Sequence, residues 1–314
     1  MKFSFKHVGT SIKGLAGNSW HITKTSFTKW WAMDPFRQSS IIAYYAIFSL
    51  PALLVIVITI AGFAFGADAV HSQVLGQVKD VMGEATADQI KVMLAKATET
   101  KTSVWATILG GITVVLGSIG VFVELQKTLN IIWEVEAAPH KGVWGFLRAR
   151  VFSFGLILSI AFLLMISLVI STALAAASEL LRAESSKIIA LAFEVLNFII
   201  SLGVISALFA LMFKFLPDAK ITWRHVLPGA LITGMLFTIG KTAIAFYFGK
   251  ADPASGYGAA GSIVLILLWA SYSSMILFLG AEFTHTYADK LTGGVKPSET
   301  GKKAAPAEQV HKTR

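Results

Sequence analysis

Two ionisable side chains interrupt long apolar stretches: Glu194 within Ile188–Phe213 and Lys241 within Val226–Phe248. An ionised group at the centre of a bilayer is unfavourable by about 2.5–3.5 kcal/mol on insertion scales, so it lines a wet path, pairs with an opposite charge or reaches the interface. Lys241 lies 15 residues into its stretch, roughly 22 Å at the helical rise. Glu194 enters its own stretch from the opposite side, at roughly 9 Å by the same rise. The two therefore reach comparable depth, and either a Lys241–Glu194 pair or a cavity-lining cation accounts for them. The four-carbon stem of Lys241 also lets its ammonium snorkel outward. A cation placed part-way across a bundle suits an anionic headgroup.

Four further residues complete the candidate lining of a transport path. Glu124 and Glu282 stand at the ends of two other apolar stretches, where solvated helix ends explain them equally well. Asn130 follows Glu124 on a segment, Glu124–Glu136, that continues its helix outward. Glu124, Lys127, Asn130 and Glu134 share one face there, and Leu125, Leu129, Ile132 and Trp133 share the other. Pro51 lies well inside the first apolar stretch and kinks it by removing an amide donor.

Catalytic chemistry finds no footing. The chain has no cysteine, which removes thiolate catalysis and Cys-based metal sites. Its seven histidines are scattered, with no HxxxH, HExxH or HxHxDH. Neither a GxSxG nucleophile elbow nor a GxxxxGK[ST] phosphate loop is present. No enzyme activity, catalytic residue, metal or cofactor is expected, and no ATP-driven pumping by this chain alone.

The elements that hold the candidate residues are dictated by hydrophobicity. Of 314 residues, 55% are apolar and only 14% charged, against about a quarter charged in ordinary soluble domains. Stretches of about 20 apolar residues span the hydrocarbon core as helices. Six occur: Ser39–Phe65, Val104–Val123, Val151–Ala177, Ile188–Phe213, Val226–Phe248 and Ala259–Ala281. The expected fold is all-α, a polytopic membrane protein with six transmembrane helices, an N-terminal interfacial helix and a helical extracytoplasmic loop. Nineteen of the 27 Lys and Arg residues fall in the termini and the second and fourth loops. The positive-inside rule then places both termini in the cytoplasm of a bacterial inner membrane. Topology thus accounts for the net charge of +9 without nucleic acid. Seven of the eight tryptophans fall near span ends, the level indoles favour.

Residues 1–38 form a cytoplasmic segment without the apolar core of a cleavable signal. Trp20, Phe27 and Trp31 recur there at helical spacing around Lys24 and Lys29, the pattern of a helix lying on a leaflet. Residues 39–281 form the transmembrane domain, including the extracytoplasmic loop 66–103. Val70, Val74, Val78 and Val81, then Ile90 and Leu94, predict that this loop forms a helical hairpin resting over the bundle, or a short cap. Residues 282–314 form a cytoplasmic tail, and its Lys, Pro, Ala and Gly content from Gly293 predicts disorder. Small residues at helical spacing, among them Gly62/Gly66, Gly117/Gly120 and Ala230/Gly234, allow close helix crossings.

Several short segments carry a resemblance: Ala43-Tyr-Tyr-Ala-Ile-Phe-Ser-Leu-Pro51, Leu129-Asn-Ile-Ile-Trp133, Phe215-Leu-Pro-Asp218, Pro228-Gly-Ala230, Tyr257-Gly-Ala-Ala-Gly-Ser262, Leu267-Leu-Trp269 and Leu279-Gly-Ala-Glu282. Together they resemble the YihY/BrkB family of bacterial inner-membrane proteins, at one time labelled ribonuclease BN-like, over roughly residues 30–290. The resemblance implies six helices with both termini inside, in agreement with the loop charges. The ribonuclease label implies a metal-dependent nuclease, and the histidine/aspartate cluster that chemistry needs is missing here.

The function expected is movement of a lipid or another envelope amphiphile across the membrane. The alternative is a non-transporting scaffold or envelope assembly factor. The partners expected are membrane lipids, envelope proteins docking on residues 66–103, and further copies of the chain.

Overall fold

The computed structural model describes residues 20–48, most positions of 71–92, 120–137, 187–251, 253, 255–292, 296–298 and 301–303. Three helices in it are long and apolar enough to cross a membrane: Leu191–Phe215, Trp223–Ala251 and Ile263–Leu291. They match the fourth, fifth and sixth expected spans. Of the first span, 39–48 is described and helical, and of the second only 120–123. The third span and Pro51 lie outside the described residues.

We label the helices α1 (20–32), α2 (35–48), α3 (120–132), α4 (Lys187–Phe215), α5 (Trp223–Ala251) and α6 (Gly261–Thr292). A 3₁₀ turn, Ser255–Ala260, precedes α6. Four short strands complete the described chain: β1 (Val135–Ala137), β2 (Ala219–Lys220), β3 (Lys296–Pro297) and β4 (Gly301–Lys303). Within loop 66–103 the described positions between 71 and 92 are helical, and Val78, Ala87 and Ile90 are buried.

Asp34 separates α1 from α2. It adopts φ 55°, a left-handed conformation that Asp tolerates better than most residues. Its carbonyl accepts from the Gln38 amide at 3.2 Å, and Pro35 opens α2 where a missing amide does no harm. α1 buries Ile22, Ser26 and Trp30 and exposes Trp20, Phe27 and Trp31. Trp30 Nε1 donates to the Met275 carbonyl at 3.2 Å, which fastens α1 to α6. Ser39 and Ser271 join α2 to α6 through their hydroxyls at 2.9 Å.

α5 packs between α4 and α6. Two threonines and two glycines set the α5–α6 crossing. Gly229 faces Thr284, and Gly280 faces Thr233. Each threonine hydroxyl donates at 2.7 Å to a carbonyl four residues back, Thr233 to Gly229 and Thr284 to Gly280. The hydroxyls are thereby satisfied within their own helices, and each threonine side chain, its hydroxyl oxygen foremost, fills the space the opposite glycine leaves. On the other side, Gly234 of α5 faces Ser206 of α4, and Phe209 and Phe237 meet edge-on at 5.6 Å.

Two sequence expectations need correction. The helix through Glu124 does not continue to Glu136. It ends at residue 132, Glu134 turns left-handed with φ 53°, and the chain becomes β1. The tail expected to be disordered is ordered in part. α6 runs to Thr292, β3 pairs antiparallel with β2, and β4 pairs antiparallel with β1. Backbone pairing across these strands needs no apolar side chains, so composition gave no sign of it.

Candidate functional site

The described polar side chains converge where the ends of α3 and α4, the start of α5 and the last third of α6 meet. Two networks form there.

The first is built on Asp218, in the link between α4 and α5. Its carboxylate Oδ2 accepts from Asn130 Nδ2 at 2.8 Å and from Gln126 Nε2 at 3.1 Å. Its amide donates to Asn130 Oδ1 at 2.8 Å, so Asn130 clamps side chain and backbone together. The Asp218 carbonyl accepts the Ser298 amide at 2.9 Å, which ties the tail to the same residue. Asp218 and Asn130 are both buried. Both of these side-chain donors are neutral amides, and hydrogen bonds to a charged group contribute about 1.5–3 kcal/mol each. Beside it Lys214 Nζ donates to the Ile221 carbonyl, and Thr128 donates to Gln38 Oε1 at 3.4 Å.

The second network runs from the surface inward. Glu134 pairs with Lys29 at 3.7 Å, Lys29 with Glu282 at 3.9 Å, and Glu282 with His285 Nδ1 at 3.7 Å. Glu282 and His285 are buried, and the His285 ring meets Trp133 edge-on at 5.2 Å. Unlike the first network, this one is incompletely bonded. Trp133 Nε1, Glu282 Oε1, His285 Nδ1 and Thr286 Oγ1 are buried and have no hydrogen-bond partner among the described residues. The ion pairs reach Glu282 at distances longer than a hydrogen bond.

The six sequence candidates are thus sorted. Asn130 and Glu282 come to the same end of the bundle, linked through Trp133, three residues beyond Asn130. Glu282 is no solvated helix end: α6 continues ten residues past it and buries it to 2% exposure. Glu124 pairs with Lys127 at 3.3 Å. Glu194 is exposed on α4 and Lys241 half-buried on α5, and among the described residues no ion pair joins them. The Gly229–Thr284 and Gly280–Thr233 contacts place Glu282 level with about residue 231 of α5, so Lys241 stands roughly 15 Å further along the axis. Pro51 lies outside the described residues.

Asp218, His285, Lys29 and Trp133 were not among the site candidates that the sequence offers. One signal was available for His285: Glu282-x-x-His285 puts acid and imidazole on one helical face. Nothing local marks Lys29 or Asp218, whose partners are about 90 residues or more away in the chain.

The family model described as Virulence factor BrkB matches residues 26–306. A UPF0761 membrane protein of Pseudoalteromonas atlantica is 26% identical over 253 residues, 78% of each chain. Another, from Tolumonas auensis, is 34% identical over 99 residues, 31% of each chain. A third, from Verminephrobacter eiseniae, is 29% identical over 189 residues, 60% of this chain and 43% of the relative. The matched parts of these last two cover less than half of each relative's length. No solved structure matches. The segments that meet at the polar end, Leu129–Trp133, Phe215–Asp218, Pro228–Ala230 and Leu279–Glu282, lie within the matched region, and the chain belongs to the BrkB family of membrane proteins, the YihY/BrkB family that its sequence resembles.

Proposed function

We propose that this chain is a multi-pass protein of the bacterial inner membrane that moves a lipid or another envelope amphiphile across the bilayer, with no ATPase and no catalysis of its own. The observation that carries the reading is Lys241. It is half-buried within a membrane-length helix and has no carboxylate partner among the described residues. A cation so placed attracts an anionic headgroup at a depth where hydrocarbon alone repels it. Both termini face the cytoplasm in this reading, because the basic residues concentrate on that side. The polar end of the bundle is then the cytoplasmic one.

The test is reconstitution into liposomes carrying fluorescent anionic or zwitterionic lipids, read by leaflet-selective quenching. The native chain flips anionic lipid faster than zwitterionic lipid, and Lys241→Ala reduces the anionic rate at least about tenfold, the loss of roughly 1.4 kcal/mol of interaction. Equal rates for native chain and Lys241→Ala remove Lys241 from the path. No flipping by folded native protein favours the non-transporting scaffold, for which residues 66–103 are the docking candidate.

α1 rests on the cytoplasmic leaflet in the same reading. Trp20 and Trp31 are 71% and 58% exposed, beside exposed Phe27, and indoles favour the headgroup level. Brominated lipids therefore quench native emission, and a Trp20→Phe/Trp31→Phe double variant loses the share of that quenching which these two indoles carry. Its stability changes by less than about 0.5 kcal/mol, as for other surface substitutions. Unchanged quenching removes α1 from the interface.

A further inference from the structure

The second network holds more unbonded polar atoms than a structural contact needs. Buried polar groups nearly always have a partner, and a cluster without one marks a place for water, an ion or a proton. Here four such atoms gather from two segments: Trp133 after α3, and Glu282, His285 and Thr286 on α6. The cluster also has a route to water. Side-chain exposure falls from 65% at Glu134 to 41% at Lys29, then to 3% at Glu282 and 6% at His285. Each step along that series is an ion-pair distance of 3.7–3.9 Å.

Charge decides what the site takes. With His285 neutral, Glu134, Lys29 and Glu282 sum to one negative charge, because two carboxylates share the single Lys29 ammonium. One proton brings the sum to zero. A metal ion needs more ligands than this: among the described residues no group of three His, Cys, Asp or Glu side chains is placed to hold one. Among the described residues, the other ionisable groups of the surrounding elements include His21 and Lys24 on α1, Glu124 and Lys127 on α3, Glu136 in β1 with Lys302 and Lys303 in the paired β4, Arg224 and His225 in the first turn of α5, and Tyr287, Asp289 and Lys290 on α6. α5 meets α6 at the level of the site through Gly229 against Thr284 and brings no charge there. Asp218 is held by Asn130 and Gln126.

We infer that Glu282 and His285 form a buried site for a single proton, taken up from the water at that end of the bundle through Lys29 and Glu134. In the bound state the proton lies between Glu282 Oε1 and His285 Nδ1. No other bond forms or breaks. A polar dyad that switches between minus one and zero inside the helix junction of α1, α3 and α6 biases their packing. The proton is then the coupling ion of the movement proposed above. This last step rests on the transport reading; proton binding does not.

Trp133 supplies a probe, because an imidazolium in ring contact quenches indole emission. Native protein in nanodiscs, taken from about pH 8 to pH 5, the range in which histidine switches, loses emission reversibly. Trp133→Phe and His285→Gln each remove most of that change. Glu282→Gln, which deletes the attracting charge, weakens proton uptake, so the loss of emission is several-fold smaller at mid-range pH. Should a buried variant fail to fold, exposed Glu134→Gln and Lys29→Gln carry the test, since each changes the charge of the series without filling or emptying the core. Native emission independent of pH overturns the site. So does a transition unchanged in Glu282→Gln, Lys29→Gln and Glu134→Gln. In liposomes, lipid flipping by the native chain responds to a pH gradient and flipping by Glu282→Gln does not. A response retained in Glu282→Gln overturns the coupling role, whereas absence of all flipping beside an intact emission transition overturns only the transport reading.

Discussion

Asn130→Ala lowers the unfolding free energy by about 3 kcal/mol, the consequence of leaving a buried carboxylate and a buried amide each short of a partner. Asn130 does two things at once. Its Nδ2 donates to Asp218 Oδ2 and its Oδ1 accepts the Asp218 amide, both at 2.8 Å. Gln126 at 3.1 Å still holds the carboxylate, so the residue is weakened rather than abandoned. The loss spreads beyond the pair, because Asp218 also anchors the tail through Ser298 and stands in the link that turns α4 into α5. Asp218→Ala is of similar size. The Asn130→Ala/Asp218→Ala double variant loses less than the two single losses added, by about 1–2 kcal/mol, since it removes the stranded charge together with its donor. Denaturant unfolding in detergent micelles measures all three. Strict additivity of the two losses refutes the clamp.

Gly229→Ala and Gly280→Ala each destabilise the bundle by about 2–3 kcal/mol, although alanine favours a helix over glycine by about 1 kcal/mol. The sign is set by the crossing of α5 over α6. A methyl at Gly229 meets the Cβ of Thr284 at 2.8 Å and its Cα at 3.1 Å, and backbone cannot rotate away. A methyl at Gly280 meets Thr233 Cγ2 at 2.6 Å and Cβ at 2.7 Å. The helices must separate, and in a membrane, close packing is itself a main source of helix association. Gly280→Ala/Thr233→Gly exchanges knob and hole and recovers at least half of the Gly280→Ala loss. Gly203→Ala on α4, where an added methyl meets nothing within 4 Å, carries no such penalty. Thermal unfolding of the set in one detergent compares them directly. A Gly229→Ala variant as stable as the native chain shows that the crossing is looser than described.

Gly229 and Gly280 mark the boundary between what periodicity reveals and what it does not. Small residues at spacings of three or four announced close crossings, and span five was read through Ala230 and Gly234. Gly234 does meet Ser206 of α4, yet the α6 contact falls on Gly229 and Thr233, one residue around the helix. A helix that is apolar all round has no amphipathic stripe to fix its rotation, so its facing residues are set by its neighbours.

The sequence by itself determined that this is a membrane protein of helices, where the three described spans begin and where the first two of them end to within a few residues, and that Asn130 and Glu282 deserved notice. Those features are local: helix length against bilayer thickness, charge against hydrocarbon, and aromatic residues at the interface all act on neighbouring residues. Tertiary structure alone decided which charges meet. It left Glu194 and Lys241 without the ion pair that their expected depths allowed, because depth read along a helix fixes neither its register against a neighbour nor the direction a side chain takes around it. It brought Asp218 to Asn130 and Glu282 to Lys29 and His285, across separations of 88 residues and more for the contacts between elements. It turned the tail back as β3 and β4 through backbone bonds that any composition can make. Pairing of this kind is selected by the geometry of the whole bundle, where an unbonded polar group is unfavourable enough to choose its partner from anywhere in the chain.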